Sequence, residues 1–250
     1  MKKTLITLMT LAGVAFGADD TLFSMDFTAL TGSTNDNLPA DWSAGQWNGS
    51  GNVPYYNFGV NGAVVGQPWK QNYLTTNFDI ESQGAYTITF TLYNSVEDTG
   101  NMFFLSSDSY SIVMGNSYNS NSEIYVGTLT EAVGRDYVCF QTNTKINPTV
   151  IDNSTGLDVS GNISYTLTMQ GGNMTINATV GNGTTWSTTI TGMEDVTFDK
   201  IGFLTDGSNS TAGVKGITIT APSSPSVPEP ATATLSLLAL AGLAARRRRK

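Results

Sequence analysis

The feature that most constrains this chain is a one-by-one alternation of apolar and polar residues. It runs through 86–92, 163–169 and 174–180, and in shorter form through 23–27 and 217–219. Successive side chains of a β-strand point to opposite faces, so each segment predicts a strand with one buried and one wet face. Long helical periodicity does not occur between the two ends of the chain. The pattern therefore predicts antiparallel sheets.

Turn-forming residues separate these alternating segments. Gly171-Gly172-Asn173 lies between two of them, and Asn182-Gly183 suits a type I′ hairpin. Residues 163–191 are therefore predicted to form a three-strand meander.

Many short strands in one domain of roughly 200 residues predict an all-β fold, an antiparallel sandwich of two packed sheets. Its core is expected to contain Phe90, Leu167, Met169 and Ile176. Further strands are predicted around 72–78, 102–107, 110–115, 123–128, 136–141 and 198–204.

Three segments resemble the laminin-G-like, concanavalin A-like jelly roll: 22–27, the hairpin 165–177 and 214–219. The resemblance implies that the first and last strands lie side by side. The resemblance also makes a structural calcium site possible. Segments 98–101 and 206–209 have the oxygen-rich composition that such a site needs, but plain Asx turns are the simpler explanation of both. No metal ligand is assigned and no other cofactor is expected. A different β-sandwich or a short β-solenoid is the alternative fold.

The N-terminus has the features of a secretory signal peptide. Lys2 and Lys3 precede an apolar run over 5–16, and small residues follow, with cleavage expected after Gly17. The apolar run is short for a membrane span, which needs about 20 residues. We therefore predict a signal peptide over 1–17 and a β-sandwich domain over 18–221.

The C-terminus has three parts in a fixed order. A linker over 222–230 ends in a Pro-Glu-Pro motif, an Ala/Leu-rich segment follows over 231–245, and a basic cluster closes the chain. Fifteen helical residues would extend about 22 Å, a marginal span for a core of about 30 Å. The basic cluster is expected to stay cytoplasmic, which places the domain outside. The motif residues are Pro228, Glu229 and Pro230, and the basic residues are Arg246, Arg247, Arg248, Arg249 and Lys250.

This tail resembles the PEP-CTERM sorting signal of Gram-negative bacteria, on the Pro-Glu-Pro motif, the apolar helix and the terminal arginine cluster. The resemblance implies processing near the motif by an exosortase, a membrane transpeptidase-like enzyme. It also implies an association with exopolysaccharide production. The expected route is export across the inner membrane, anchoring through the C-terminal helix, and then a cell-surface or extracellular location. An ordinary anchor with a chance Pro-Glu-Pro is the alternative.

Composition excludes several function classes. The chain has no histidine, which excludes Ser-His-Asp and Cys-His catalysis and the common histidine-containing zinc sites. A single cysteine, Cys139, cannot form an internal disulfide. Within 18–221 there are five cations and nineteen carboxylates. A domain this acidic repels phosphate backbones, so no nucleic-acid partner is expected.

The segment 42–73 is rich in aromatic residues interleaved with asparagines and glutamines, the groups that a sugar-binding surface needs. It lacks clean alternation and contains many glycines, so it is predicted to be a loop region, where function is often located. The alternative is that its rings fill the mouth of the sandwich. The candidate carbohydrate-binding residues are Trp42, Trp47, Tyr55, Tyr56 and Trp69.

These observations favour a non-catalytic surface or matrix protein that associates with a glycan or exopolysaccharide. One alternative is a glycoside hydrolase with a non-standard carboxylate pair. Glu97-Asp98 and Glu194-Asp195 do not form a standard pair, because adjacent residues of a strand point to opposite faces. The other is a purely structural envelope protein. The expected partners are an exosortase-type enzyme, a polysaccharide and the membrane.

Overall fold

The alternating segments form strands in the computed structural model, which describes residues 19–46, 56–65, 70–78, 84–95, 100–116, 123–133, 148–154, 156–207 and 212–222. One compact unit spans Thr21–Ala221. The predicted signal peptide, the sorting tail, the strand predicted at 136–141 and Cys139 lie outside the described residues, so those predictions stand as they were.

The described residues contain sixteen strands, a 3-10 helix over Phe27–Ala29 and a four-residue α-helix over Thr34–Asn37. The first eight strands are β1 (Asp20–Asp26), β2 (Gly32–Ser33), β3 (Trp42–Gln46), β4 (Tyr56–Gly59), β5 (Gly62–Val65), β6 (Lys70–Asn77), β7 (Tyr86–Asn94) and β8 (Gly100–Ser106). The others are β9 (Ser111–Asn116), β10 (Ile124–Leu129), β11 (Thr149–Asn153), β12 (Gly161–Gln170), β13 (Asn173–Thr179), β14 (Thr185–Ile190), β15 (Lys200–Gly207) and β16 (Ala212–Ala221).

The strands form two sheets. The first sheet has nine strands in the order β14-β13-β12-β7-β16-β5-β4-β2, with β1 also beside β16. The second sheet has seven strands in the order β11-β10-β9-β8-β15-β6-β3. The predicted all-β, two-sheet architecture is confirmed, and the first and last strands lie side by side, as the jelly-roll resemblance implies.

The predicted meander forms β12, β13 and β14, and its register follows the alternation. Leu167 lies opposite Ile176 on β13 and opposite Ile88 on β7, so apolar residues share the inner face. Phe90, Leu167, Met169 and Ile176 are all buried, which confirms the predicted core. The second turn differs from the type I′ prediction. Gly183 N–H donates to the Val180 carbonyl at 2.8 Å and has a φ of 85°, so 181–183 form a three-residue loop.

Aromatic rings fill the space between the two sheets. Phe203 of β15 is fully buried, and its ring centroid lies 5.4 Å from that of Phe103 and 6.0 Å from that of Phe90. It also contacts Phe27 at 6.4 Å and Trp42 at 6.3 Å. Such ring pairs stabilise a core beyond the area that they bury.

A buried polar network also joins the two sheets. Asn101 of β8 donates through Nδ2 to the Gly213 carbonyl at 2.8 Å and to Asn94 Oδ1 at 3.1 Å, both on the first sheet. Thr205 Oγ1 lies 3.4 Å from Asn101 Oδ1, and the Tyr56 hydroxyl donates to Thr205 Oγ1 at 3.3 Å. Buried polar groups are tolerated when they are paired in this way.

Tyr165 differs, because its buried hydroxyl has no hydrogen-bond partner among the described residues. Burial raises the pKa of this phenol, so the group is a neutral, unsatisfied hydroxyl in an apolar core. An unsatisfied buried polar group destabilises a fold by about 1–3 kcal/mol.

We therefore expect Tyr165→Phe to raise the free energy of unfolding by about 1 kcal/mol, measured by chemical denaturation of the full chain. The matched control is Tyr56→Phe, which removes a hydroxyl bonded to Thr205 and should lower stability by a similar amount. If Tyr165→Phe were the more destabilising of the two, the Tyr165 hydroxyl would have to make a bond in solution.

The outer face of the second sheet carries a separate apolar cluster. Its strands present Met102, Phe104, Val113 and Leu204 there, and all four are buried. None of the residues on this face of β8 and β9 is charged.

Candidate functional site

The outer face of the first sheet is a regular array of hydroxyl side chains, which we call the hydroxyl grid. Strand pairing aligns the outward residues of β14, β13, β12, β7 and β16 into three rows. Thirteen of the fifteen positions carry a hydroxyl and none carries a charge. The rows are Thr189-Thr175-Thr168-Thr87-Thr220, Ser187-Asn177-Thr166-Thr89-Thr218 and Thr185-Thr179-Ser164-Thr91-Gly216.

Hydrogen bonds between neighbouring strands support the grid. Thr175 and Thr189 hydroxyls lie 3.3 Å apart, as do those of Thr91 and Ser164. Ser24 on β1 lies 3.3 Å from Thr218 and extends the middle row by one more strand. Cross-strand pairs of this kind stabilise sheets, and β-branched threonine side chains are stiff at χ1. The hydroxyls are therefore held in fixed positions.

A groove of about 460 Å³ crosses one half of the grid, over β1, β16, β7 and β12. Its volume lies within the range of roughly 300–1,000 Å³ that is typical of small-molecule sites. The side chains that supply its polar groups are Ser24, Asp26, Thr28, Thr89, Thr91, Ser164, Thr166, Lys215 and Thr218.

A break in strand regularity accompanies the groove. The pairing of β16 with β7 shifts register between Val214 and Gly216, which leaves Lys215 as an extra residue. Irregularities of this type redirect a side chain and bend the strand. Gly216 matters as well, because a Cβ atom there would lie 2.8 Å from the Met25 carbonyl of β1. The missing side chain lets β1 approach.

Two charged residues of opposite sign line the groove. The Asp26 carboxylate accepts hydrogen bonds from the Thr28 hydroxyl at 2.6 Å and from the Thr28 N–H at 2.9 Å. These bonds, the side-chain one foremost, hold the pKa of Asp26 below its ordinary value, so the group is ionised at neutral pH. The Lys215 ammonium lies 5.6 Å from the centroid of the Tyr93 ring, a cation–π distance.

This set of groups is suited to binding a polyhydroxylated molecule. Hydroxyls both donate and accept, the Asp26 carboxylate accepts, and the Lys215 ammonium donates. A sugar presents hydroxyls that likewise both donate and accept hydrogen bonds, so it complements this set. Two-carboxylate glycoside hydrolysis needs a pair of acids, and the described residues that line the groove include Asp26 alone.

The structure describes two of the five aromatic residues predicted to bind carbohydrate, and it places both in the core. Trp42 is 5% exposed and Tyr56 is fully buried, so neither of these two predicted residues presents a ring face to a sugar. They pack in the core because they point inward from β3 and β4. Trp47, Tyr55 and Trp69 lie outside the described residues, and so do the sorting-motif residues and the basic tail.

The acidic and metal-site candidates can be placed in part. Glu194 and Asp195 are exposed turn residues, whereas Glu97 and Asp98 lie outside the described residues. Asn101, from the first calcium candidate, has its amide in the buried network. Across the part of the chain that the structure describes, no group of three or more His, Cys, Asp or Glu could hold a metal ion. None of the helices in that part is long and apolar enough to cross a membrane.

Comparison with known proteins identifies the tail and the fold. Residues 226–250 match the PEP-CTERM protein-sorting motif, which confirms the sorting signal predicted from the sequence. No curated protein matches the chain.

Solved structures resemble the domain at low sequence identity. The CBM2 module of the evolved Dit of Lactobacillus casei BL23 phage J-1 is 11% identical, covering 81% of this chain and 96% of its own, with a TM-score of 0.52. The metal-free exoplasmic/lumenal domain of VIP36 is 9% identical over 79% of this chain and 91% of its own, with a TM-score of 0.53. The Lotus tetragonolobus seed lectin is 11% identical over 79% and 97%, with a TM-score of 0.50. These likenesses confirm the lectin-like jelly roll.

Proposed function

We propose that this chain is an exported, membrane-sorted surface protein whose jelly roll binds a glycan in the groove of the first sheet. The observation that carries the proposal is the groove itself, a depression of about 460 Å³ lined by hydroxyls with one carboxylate and one ammonium. The binding is non-catalytic. VIP36, a structural neighbour, has been solved in a Ca²⁺/Man2-bound form, which supports a glycan role for this fold.

The sorting half of the proposal rests on the two ends of the chain. The signal peptide over 1–17 directs export, and the motif over 226–250 directs C-terminal processing at the membrane by an exosortase-type enzyme. The apolar segment over 231–245 holds the chain in the membrane until then, with the basic cluster on the cytoplasmic side. The domain is thereby placed at the cell surface or in the extracellular matrix, where polysaccharide is the expected partner.

The binding half is tested with the full chain in detergent on an array of neutral and acidic glycans. The affinity of each bound glycan is then measured by titration for the unmodified chain and for the double variant Thr89→Val with Thr166→Val. This variant removes two groove hydroxyls and keeps the shape of both side chains. Two lost hydrogen bonds at about 0.5–1.5 kcal/mol each predict a loss in affinity of about fivefold or more.

The matched control is Thr75→Val, which makes the same change on the outer face of the second sheet. It should bind as the unmodified chain does. Equal loss in the control, or no loss in the groove variant, would contradict the location of the site. A chain that binds no glycan on the array would contradict the function.

A further inference from the structure

We infer that the glycan is an uncharged polysaccharide that lies across the strands of the first sheet, along the hydroxyl grid, and extends beyond the groove to β14. This inference rests on the proposed glycan function and adds the class of ligand and the path that it takes.

The grid continues where the groove ends. The groove is lined by residues of β1, β16, β7 and β12, whereas the aligned rows run on through β13 and β14. Neighbouring strands lie ~4.8 Å apart, so a row over five strands extends about 19 Å. That length accommodates a chain of several sugar rings. The outward residues past the groove are Thr168, Thr175, Asn177, Thr179, Thr185, Ser187 and Thr189, none of them buried.

The charge distribution selects a neutral chain. All fifteen grid positions are uncharged, and the two charges in the groove, Asp26 and Lys215, have opposite signs. The domain around the grid is strongly acidic, with nineteen carboxylates against five cations over 18–221. An acidic polymer would meet repulsion from the domain with no cationic row to offset it.

The hydroxyl grid also explains how a surface with few aromatic groups can bind a sugar chain. Each hydroxyl contact contributes little, about 0.5–1.5 kcal/mol. The stiff threonine rotamers and the cross-strand hydrogen bonds pre-order the hydroxyls, which lowers the entropy lost on binding. Contacts repeated along a row add up, so affinity should rise with the length of the sugar chain.

The test uses affinity gel electrophoresis of the full chain in detergent. The neutral probes are dextran, mannan and a soluble β-1,3-glucan, and the acidic probes are alginate and polygalacturonate. We expect retardation by at least one neutral polymer and weaker or no retardation by the acidic ones. The variant is Thr175→Val with Thr189→Val, which removes a hydroxyl pair beyond the groove. It should weaken polymer binding about tenfold and leave binding of the matching disaccharide, measured by calorimetry, unchanged.

The outcomes separate this inference from the proposed function. If the Thr175 and Thr189 variant binds polymer normally while the Thr89 and Thr166 variant does not, the path along the grid is wrong and the groove stands. Stronger retardation by alginate or polygalacturonate than by the neutral polymers would overturn the inference that the ligand is uncharged. Retardation by none of the polymers would overturn the inference, and the array result would then decide the proposed function by itself.

Discussion

Replacing Asn101 with leucine is expected to lower the free energy of unfolding by about 4 kcal/mol. The side chain is completely buried, and its amide donates to the carbonyls of Gly213 and Tyr93 and to the side chain of Asn94. A leucine has the same branched shape but cannot donate, so the two carbonyls and Asn94 Oδ1 lose this buried hydrogen-bond donor. Each unsatisfied buried group costs about 1–3 kcal/mol, and the loss falls on the contacts that join the two sheets.

The measurement is chemical denaturation of the full chain, followed by tryptophan fluorescence and circular dichroism. The matched control is Asn177→Leu, the same change at an exposed position on β13, which should alter stability by no more than about 0.5 kcal/mol. Equal effects at the two positions would mean that the buried network does not hold the sheets together.

Phe203→Ala is expected to destabilise the fold by about 3–5 kcal/mol. Its ring is fully buried between the sheets and contacts Phe27, Trp42, Phe90 and Phe103. The alanine variant loses the transfer free energy of the ring and leaves a cavity among rigid neighbours. The same denaturation measurement checks it.

Phe203→Leu serves as the graded control, because it retains most of the buried volume and should cost roughly half as much or less. A loss below about 1 kcal/mol for Phe203→Ala would contradict the position of Phe203 at the centre of the core. A large loss for both variants would instead indicate that ring geometry, rather than volume, dominates this part of the core.

The fold could be predicted because the alternation of apolar and polar residues within each strand shows which of its side chains are buried. Leu167, Met169 and Ile176 alternate with threonines and asparagines, and a slip of one residue would expose the whole apolar set. The burial pattern of β12 and β13 follows that alternation without a break. Pairings between distant segments, such as β7 with β12 or β15 with β8, could not be predicted from periodicity, because nothing in a single strand specifies its neighbour.

The candidate site was missed for a physical reason. A sequence segment rich in aromatic residues and without clean alternation predicts a sugar-binding loop, yet Trp42 and Tyr56 lie on strands and are among the large apolar groups that fill the core. The polar residues of the alternating strands were the better indication of a binding surface. The threonine rows form only when strand register brings Thr166 beside Thr89. The groove forms only where Gly216, which has no side chain, lets β1 approach β16.

The two ends of the chain and its middle support one another. The sorting motif at 226–250 implies export and C-terminal processing at the membrane. The domain has a lectin-like jelly roll, and its first sheet offers an uncharged hydroxyl surface with a groove of about 460 Å³.

The most direct test of glycan binding at the first sheet is threonine methyl NMR of the full chain, titrated with a neutral glycan that the array identifies. Methyl shifts report contact at each threonine separately. Glycan binding in the groove predicts the largest shifts at Thr89, Thr91, Thr166 and Thr218, with Thr75 on the second sheet unchanged. Shifts concentrated at Thr75, with the four groove threonines unmoved, would contradict it.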